Sequence, residues 1–137
     1  MKLQGRKIHG GQARADAMVT RMGISFFGGV DPDSGIVVEK GHELEGRCIA
    51  GKVLVFPSGK GSTVGSYTLY RLKKAGVAPA AIVNSECETI TAVGCIISDI
   101  PCVDRITIED VPDGIVLSVD GETGVLEVEI IEPASGG

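Results

Sequence analysis

The sequence predicts an α/β fold: a β-α-β-α-β core with β-rich segments on either side. Three observations predict it. A nearly continuous apolar run, Lys52 to Phe56, leads into the glycine-rich stretch Pro57-Ser58-Gly59-Lys60-Gly61 and then into residues of helical period, which is the order strand, loop, helix. A second strand, helix and strand follow between Ala80 and Val103. An Asp120-Gly121 turn then separates two short apolar segments, Gly114 to Val119 and Val125 to Ile131, as an antiparallel hairpin requires.

In chain order, Arg6 to His9 and Ala13 to Thr20 read as short strands separated by a Gly10-Gly11 turn. The apolar run Ile24 to Phe27 ends at Gly28-Gly29, and Val30-Asp31-Pro32-Asp33-Ser34-Gly35 breaks regular structure into a long loop. Ile36 to Val38 is read as another strand, leading through Gly41 and Gly46 to the buried strand at Lys52 to Phe56. In the first long helix Val64, Thr68, Leu72 and Ala75 recur at helical spacing, with Arg71, Lys73 and Lys74 turned elsewhere. Gly76 is placed to end it in a left-handed cap, with Pro79 beyond and basic residues beside the negative end of the dipole. After the strand Ala80 to Val83, residues Ile90, Val93, Ile97 and Ile100, with Thr89 and Ile96 beside them, mark the second helix, and Pro101-Cys102-Val103 the next strand.

The 137 residues suit one domain, residues 1–131, with 132–137 as a frayed tail. Thirteen Lys and Arg against eighteen Asp and Glu leave a net charge of -5, the wrong sign for a nucleic-acid backbone or an anionic membrane surface. No apolar run approaches the ~20 residues needed to span a bilayer and no signal segment opens the chain, so a cytoplasmic protein is expected. Cys48, Cys87, Cys95 and Cys102 contain no C-x-x-C pair and fall in or beside apolar stretches, so mostly buried, reduced thiols are expected. His42, between Gly41 and Glu43, reads as a solvated loop residue.

Chemistry concentrates at Gly59-Lys60-Gly61-Ser62-Thr63. This corner offers loop amides, a helix N-terminus, a lysine and two hydroxyls, which suit an anion or a reacting oxygen. A phosphate-loop NTPase motif fails, because Gly61 rather than Ser or Thr follows Lys60 and Leu54 stands in the upstream glycine position. The spacing of Gly59, Gly61 and Gly65 also breaks the dinucleotide fingerprint. No G-x-S-x-G elbow surrounds Ser62, which argues against a serine hydrolase. Two readings of Ser62 remain: an N-cap, the commonest task of serine at a helix start, or a base whose alkoxide is stabilised by helix-end amides and a nearby cation. A second candidate, Phe26-Phe27-Gly28-Gly29-Val30-Asp31-Pro32, either presents amides and Asp31 to a cleft or is a tight loop whose phenylalanines plug the core.

The runs GGVDPDSG, GKVLVFPSGKGSTVGSYTLYRLKKAGVAPAAIV and ETITAVGCIISDIPCVD together resemble the small, swivelling-domain subunit of the aconitase X family, over roughly residues 1 to 131. The resemblance implies a swivelling β/β/α domain that closes over a larger partner. It implies a dehydratase that removes water from (R)-5-phosphomevalonate, a small phosphorylated hydroxy acid, to give trans-anhydromevalonate 5-phosphate in a modified mevalonate route to isoprenoids. It also implies that Ser62 is the proton acceptor and that Gly28, Gly29 and Asp31 line the substrate side of the cleft. The large subunit is expected to carry an iron–sulfur cluster, of 4Fe-4S type, as Lewis acid for the departing hydroxyl, and this chain to bind no metal or cofactor. From charge and position, Lys60 is expected to stabilise an alkoxide or to hold a carboxylate or phosphate, and Gly61 and Thr63 are expected to bind substrate beside Ser62. A hydroxyproline dehydratase of the same family, or a non-catalytic anion-binding module, are the alternatives.

Overall fold

A computed structural model describes residues 1–129, so Glu132 to Gly137 and the end of the segment Val125 to Ile131 lie outside the described residues. Eight strands, β1 (Lys2–Gln4), β2 (Arg6–His9), β3 (Gln12–Val19), β4 (Val53–Phe56), β5 (Ala81–Asn84), β6 (Cys102–Asp104), β7 (Val116–Asp120) and β8 (Val125–Val128), form one sheet in the order β1-β8-β7-β3-β4-β5-β6-β2. The expected β-α-β-α-β core is β4, α2 (Gly65–Ala75), β5, α3 (Thr89–Ser98) and β6, with β3 to β6 mutually parallel. A single irregular turn, α1 (Phe26–Gly29), and a 3-10 turn at Ile108–Asp110 complete the elements.

β3 is long enough to belong to two ladders. Its first half, Gln12 to Asp16, pairs antiparallel with β7, and its second half, Ala17 to Val19, pairs parallel with β4. The two outer strands of the sheet, β1 and β2, are consecutive in the chain and separated by Gly5 alone. The sheet therefore curls until its edges meet at Gly5, which removes the exposed edges that invite aggregation. A Cβ at Gly5 would stand 2.5 Å from the carbonyl oxygen of Asp104 and 2.6 Å from Cγ1 of Val103, so only glycine lets the seam close this tightly.

Alternation along the strands divides two cores. Val53 and Val55 face inward with Val83, Val103, Leu117, Val119 and Leu126, while Leu54 and Phe56 face outward under the helices with Leu69, Leu72, Ile82 and Cys95. Both faces of β4 are thus buried, which explains its unbroken apolar run.

Several expectations are corrected. β2 and β3 do not pair with each other across Gly10-Gly11, because β2 closes on β6. Ile36 to Val38 forms only isolated bridges, Val30 with Val37 and Ile36 with Cys48. The buried stripe of α2 is Gly65, Ser66, Thr68, Leu69 and Leu72, leaving Val64 and Ala75 exposed. α3 turns its small residues Thr91, Gly94, Cys95 and Ser98 inward and exposes Val93, Ile96 and Ile97, because α2 comes too close at this face for larger side chains. A Cβ at Gly94 would lie 2.5 Å from Cδ1 of Leu69. Helix α2 does end at Gly76 in the left-handed conformation.

Candidate active site

The carboxyl ends of the parallel strands all open at one end of the molecule, where open α/β sheets place their ligands. β4 runs into Pro57 to Val64, β5 into Ser85 to Glu88, and β6 into Arg105 and the 3-10 turn. The loop after β4 is held from both sides. Ile24 donates its N–H to the carbonyl of Ser58 at 3.3 Å and accepts from Lys60 N–H at 2.9 Å, which lays the segment leading to Gly28-Gly29 against the serine loop. Behind it, Gly59 packs where a Cβ would meet Oε1 of Glu88 at 2.3 Å and Oγ1 of Thr91 at 2.4 Å. Glu88 caps α3, accepting from Thr91 N–H at 2.7 Å and Ile90 N–H at 2.6 Å, so the loop rests on the start of that helix.

Ser62 is exposed and precedes α2 rather than capping it, since the N-cap position is Val64 and carries no side-chain cap bond. Its Oγ accepts from Val64 N–H at 3.2 Å, and its carbonyl accepts from Gly65 N–H at 2.9 Å. The hydroxyl oxygen thus faces backbone N–H at the positive end of α2, an environment that favours negative charge on oxygen. Gly61 makes this turn possible, with φ +95 and the Ser25 hydroxyl 2.5 Å from where a Cβ would be. Thr63 is exposed beside Ser62.

Lys60 reaches back over the site, and its Nζ lies 3.2 Å from Oε2 of Glu39. The other oxygen of Glu39 sits 3.3 Å from where a Cβ on Gly29 would be, so a single carboxylate ties the two glycine loops together. Glu39 was not singled out in the sequence, because nothing in its spacing relates it to either loop. His42 corrects its expectation. It is only 5% exposed; its Nδ1 accepts from Leu44 N–H at 3.0 Å and its Nε2 lies 3.1 Å from the carbonyl of Gly23. With Nδ1 accepting, Nε2 is the nitrogen that donates to Gly23, pinning the 39–45 loop to the segment that runs into Ile24.

Gly28 is exposed and Gly29 buried; Phe26 plugs the core, while Phe27 is 54% exposed. Asp31 spends both carboxylate oxygens on its own loop, accepting from Asp33 N–H and from the Ser34 hydroxyl, each at 3.0 Å. The Asp33 amide and then the Ser34 hydroxyl hold this carboxyl below its usual range. Its clearest contribution is therefore the shape of the 28–35 loop.

Cys48 is exposed, against expectation, while Cys95 and Cys102 are buried. Cys102 meets Cys87, with sulfurs 3.9 Å apart, and is also in side-chain contact with Cys95. The contact with Cys102 and burial raise the Cys87 thiol well above its ordinary value, the opposite of the thiolate an iron–sulfur cluster needs. Among the described residues no group of three or more His, Cys, Asp or Glu side chains could hold a metal ion.

Fold and site together define a small α/β domain that gathers a serine, a lysine and loop amides at the carboxyl ends of its parallel strands. The chain belongs to the aconitase X swivel domain family, whose model matches residues 2–128. The phosphomevalonate dehydratase small subunit of Methanocella arvoryzae is 53% identical over 131 residues, covering 93% of this chain and 99% of the relative. That of Thermococcus kodakarensis is 54% identical over 132 residues, covering 96% and 98%. The crystal structure of Thermococcus kodakaraensis aconitase X in its holo-form matches with a TM-score of 0.93 at 51% identity, covering 95% of this chain and 99% of that one.

Proposed function

We propose that this chain is the small subunit of a hydro-lyase that dehydrates (R)-5-phosphomevalonate to trans-anhydromevalonate 5-phosphate in a modified mevalonate route to isoprenoids. The observation that carries this reading is the match, at about half identity and nearly end to end, to small subunits bearing that activity in their names. The partner is a larger subunit that holds the iron–sulfur cluster, and both work in the cytoplasm. No helix of the described residues is long and apolar enough to cross a membrane.

Ser62 accepts the proton from the carbon beside the substrate carboxylate. The electron pair of that C–H bond becomes the new double bond as the hydroxyl leaves the neighbouring carbon. An ordinary serine is too weakly acidic to serve as a base. Here the Val64 amide donates to Oγ, the α2 N-terminus adds partial positive charge, and a closed cleft excludes water that would otherwise screen both. Lys60, held by Glu39, and the Gly61 and Thr63 segment face the anionic end of the substrate, with the Gly28-Gly29 loop opposite and Asp31 shaping it.

Anaerobic co-expression with the larger subunit, followed by a product assay, tests the reading. The complex is expected to form trans-anhydromevalonate 5-phosphate, and either subunit alone to be inactive. Turnover of hydroxyproline with none of phosphomevalonate overturns the substrate. Ser62→Ala is expected to lower kcat by about a hundredfold or more while assembly and melting temperature hold; full activity refutes the assignment of the base.

A further inference from the structure

At the same strand ends lies a cavity of about 390 Å³ lined by Arg21, Pro57, Ser85, Arg105, Thr107 and Glu109. Both arginines line it, and among the described residues neither guanidinium has a carboxylate within 4 Å, in contrast to Arg6, Arg14 and Arg71. Glu43 accepts from the Thr20 hydroxyl and from the backbone N–H of Arg21, the latter at 2.7 Å; these two bonds, with a smaller contribution from the Arg21 charge, hold its carboxyl below the usual range. Arg105 is held at φ +61, a conformation that glycine adopts far more easily, while its N–H donates to the carbonyl of Ser85 at 3.0 Å. A strained backbone that presents a large cation at the carboxyl end of a parallel strand is a feature of ligand sites. Pro57 lines this cavity and also begins the loop that ends at Ser62, so the cavity and the serine flank one loop.

We infer that Arg21 and Arg105 bind the phosphoryl group of the substrate and so select a phosphorylated hydroxy acid. This rests on the function proposed above. The substrate is anionic at both ends, and one cation at Lys60 answers only one of them. With the carboxylate end at the Ser62 and Lys60 corner, the phosphoryl group lies beyond the reacting carbons. Two planar guanidiniums are suited to its oxygens by geometry as well as charge, and the Thr107 hydroxyl is a further donor on the same wall, while Ser85 donates its own to the Pro57 carbonyl at 2.9 Å. Glu109 on the rim disfavours additional negative charge. A hydroxyproline has no group to neutralise these arginines, so this wall also explains how the two substrates are told apart.

The test uses the assembled two-subunit complex. Arg105→Gly suits the backbone conformation and removes the guanidinium; Arg105→Lys keeps the charge without the planar fork, and Arg21→Ala removes the second cation. In both guanidinium deletions KM for phosphomevalonate is expected to rise about tenfold or more with a smaller change in kcat. Arg105→Lys is expected to fall between these and the wild type, and turnover of unphosphorylated mevalonate, where measurable, to stay unchanged. Calorimetric titration with inorganic phosphate gives an arm independent of turnover, with binding to the wild type weakened in Arg105→Gly. If the wild-type complex does not dehydrate phosphomevalonate, the functional reading fails, and the phosphate titration still decides whether the arginines bind phosphate. An unchanged KM in both deletions, an equal loss on mevalonate, or phosphate heats that do not depend on Arg105 overturns the inference.

Discussion

Asp104 shows how one side chain ties the seam of the sheet to the site. It is fully buried at the end of β6 and accepts from Nε of Arg6 at 2.9 Å, Nη2 of Arg6 at 2.8 Å and Cys87 N–H at 2.9 Å. Burial pushes its carboxyl upward, but the Arg6 guanidinium and the Cys87 amide outweigh that and hold it below the usual carboxylate range. A depressed carboxyl contributes stability that is complete above the unfolded value near ~3.9 and is lost as pH falls through the folded value. Asp104→Asn is therefore expected to destabilise the fold by about 2 kcal/mol at pH 7, with the gap to wild type narrowing on acidification below about pH 4. Urea denaturation at several pH values checks this, and a gap independent of pH contradicts it. At the same scale, Gly61→Ala is expected to lower turnover of the complex sharply and to destabilise the fold by about 1 kcal/mol, because it displaces Ser25 and forces a strained φ; turnover and thermal melting check this, and full activity contradicts it. The place of Ser62 and Lys60 in a loop between β4 and α2 was legible in the sequence because strand, glycine loop and helix are consecutive. Glu39, His42 and Glu88 were not, since each reaches the site from a distant segment through one side-chain contact.

At the scale of elements, the β-α-β-α-β order and the C-terminal hairpin were legible because each is a local periodicity bounded by turn residues. The faces of the helices were not. Helix α3 reads as amphipathic, yet its branched residues point to solvent, with Ile96 54% exposed, and its small residues meet α2. Periodicity reports that a helix has two faces; close packing decides which one is inside. The approach is fixed at Gly94 against Leu69 and at the Ser66 hydroxyl, which donates to the carbonyl of Ile90 at 2.7 Å. Gly94→Ala would gain helix propensity, but it puts a methyl into this contact and is expected to cost about 1 to 3 kcal/mol in chemical denaturation. An increase in stability would show that the helices separate at little cost.

At the scale of the molecule, closure of the sheet could not be seen in the sequence. β1 and β2 read as one short N-terminal segment, and only tertiary pairing shows that they join opposite ends of an eight-strand order, β1 on β8 and β2 on β6. That closure carries the site indirectly. β6 is held on its outer edge by β2 alone, and β6 leads to Arg105 while the Arg6 and Asp104 pair secures Cys87 at the start of the loop before α3. Gly5 is the point where the two outer strands meet, its N–H donating to the carbonyl of Gly124 at 2.8 Å. A valine there meets the Asp104 carbonyl and the Val103 and Ile106 side chains, so either β1 leaves β8 or β2 leaves β6. Each opening exposes ladder groups and part of the inner core, and Gly5→Val is expected to destabilise the fold by about 3 kcal/mol or more. Because β2 guards the edge next to the site, hydrogen exchange should accelerate first in β2 and β6 and then in the 85–88 and 105–107 loops, while α2 and β4 stay protected. Exchange that accelerates uniformly across all eight strands would mean that the seam unfolds with the whole domain and has no separate bearing on the site.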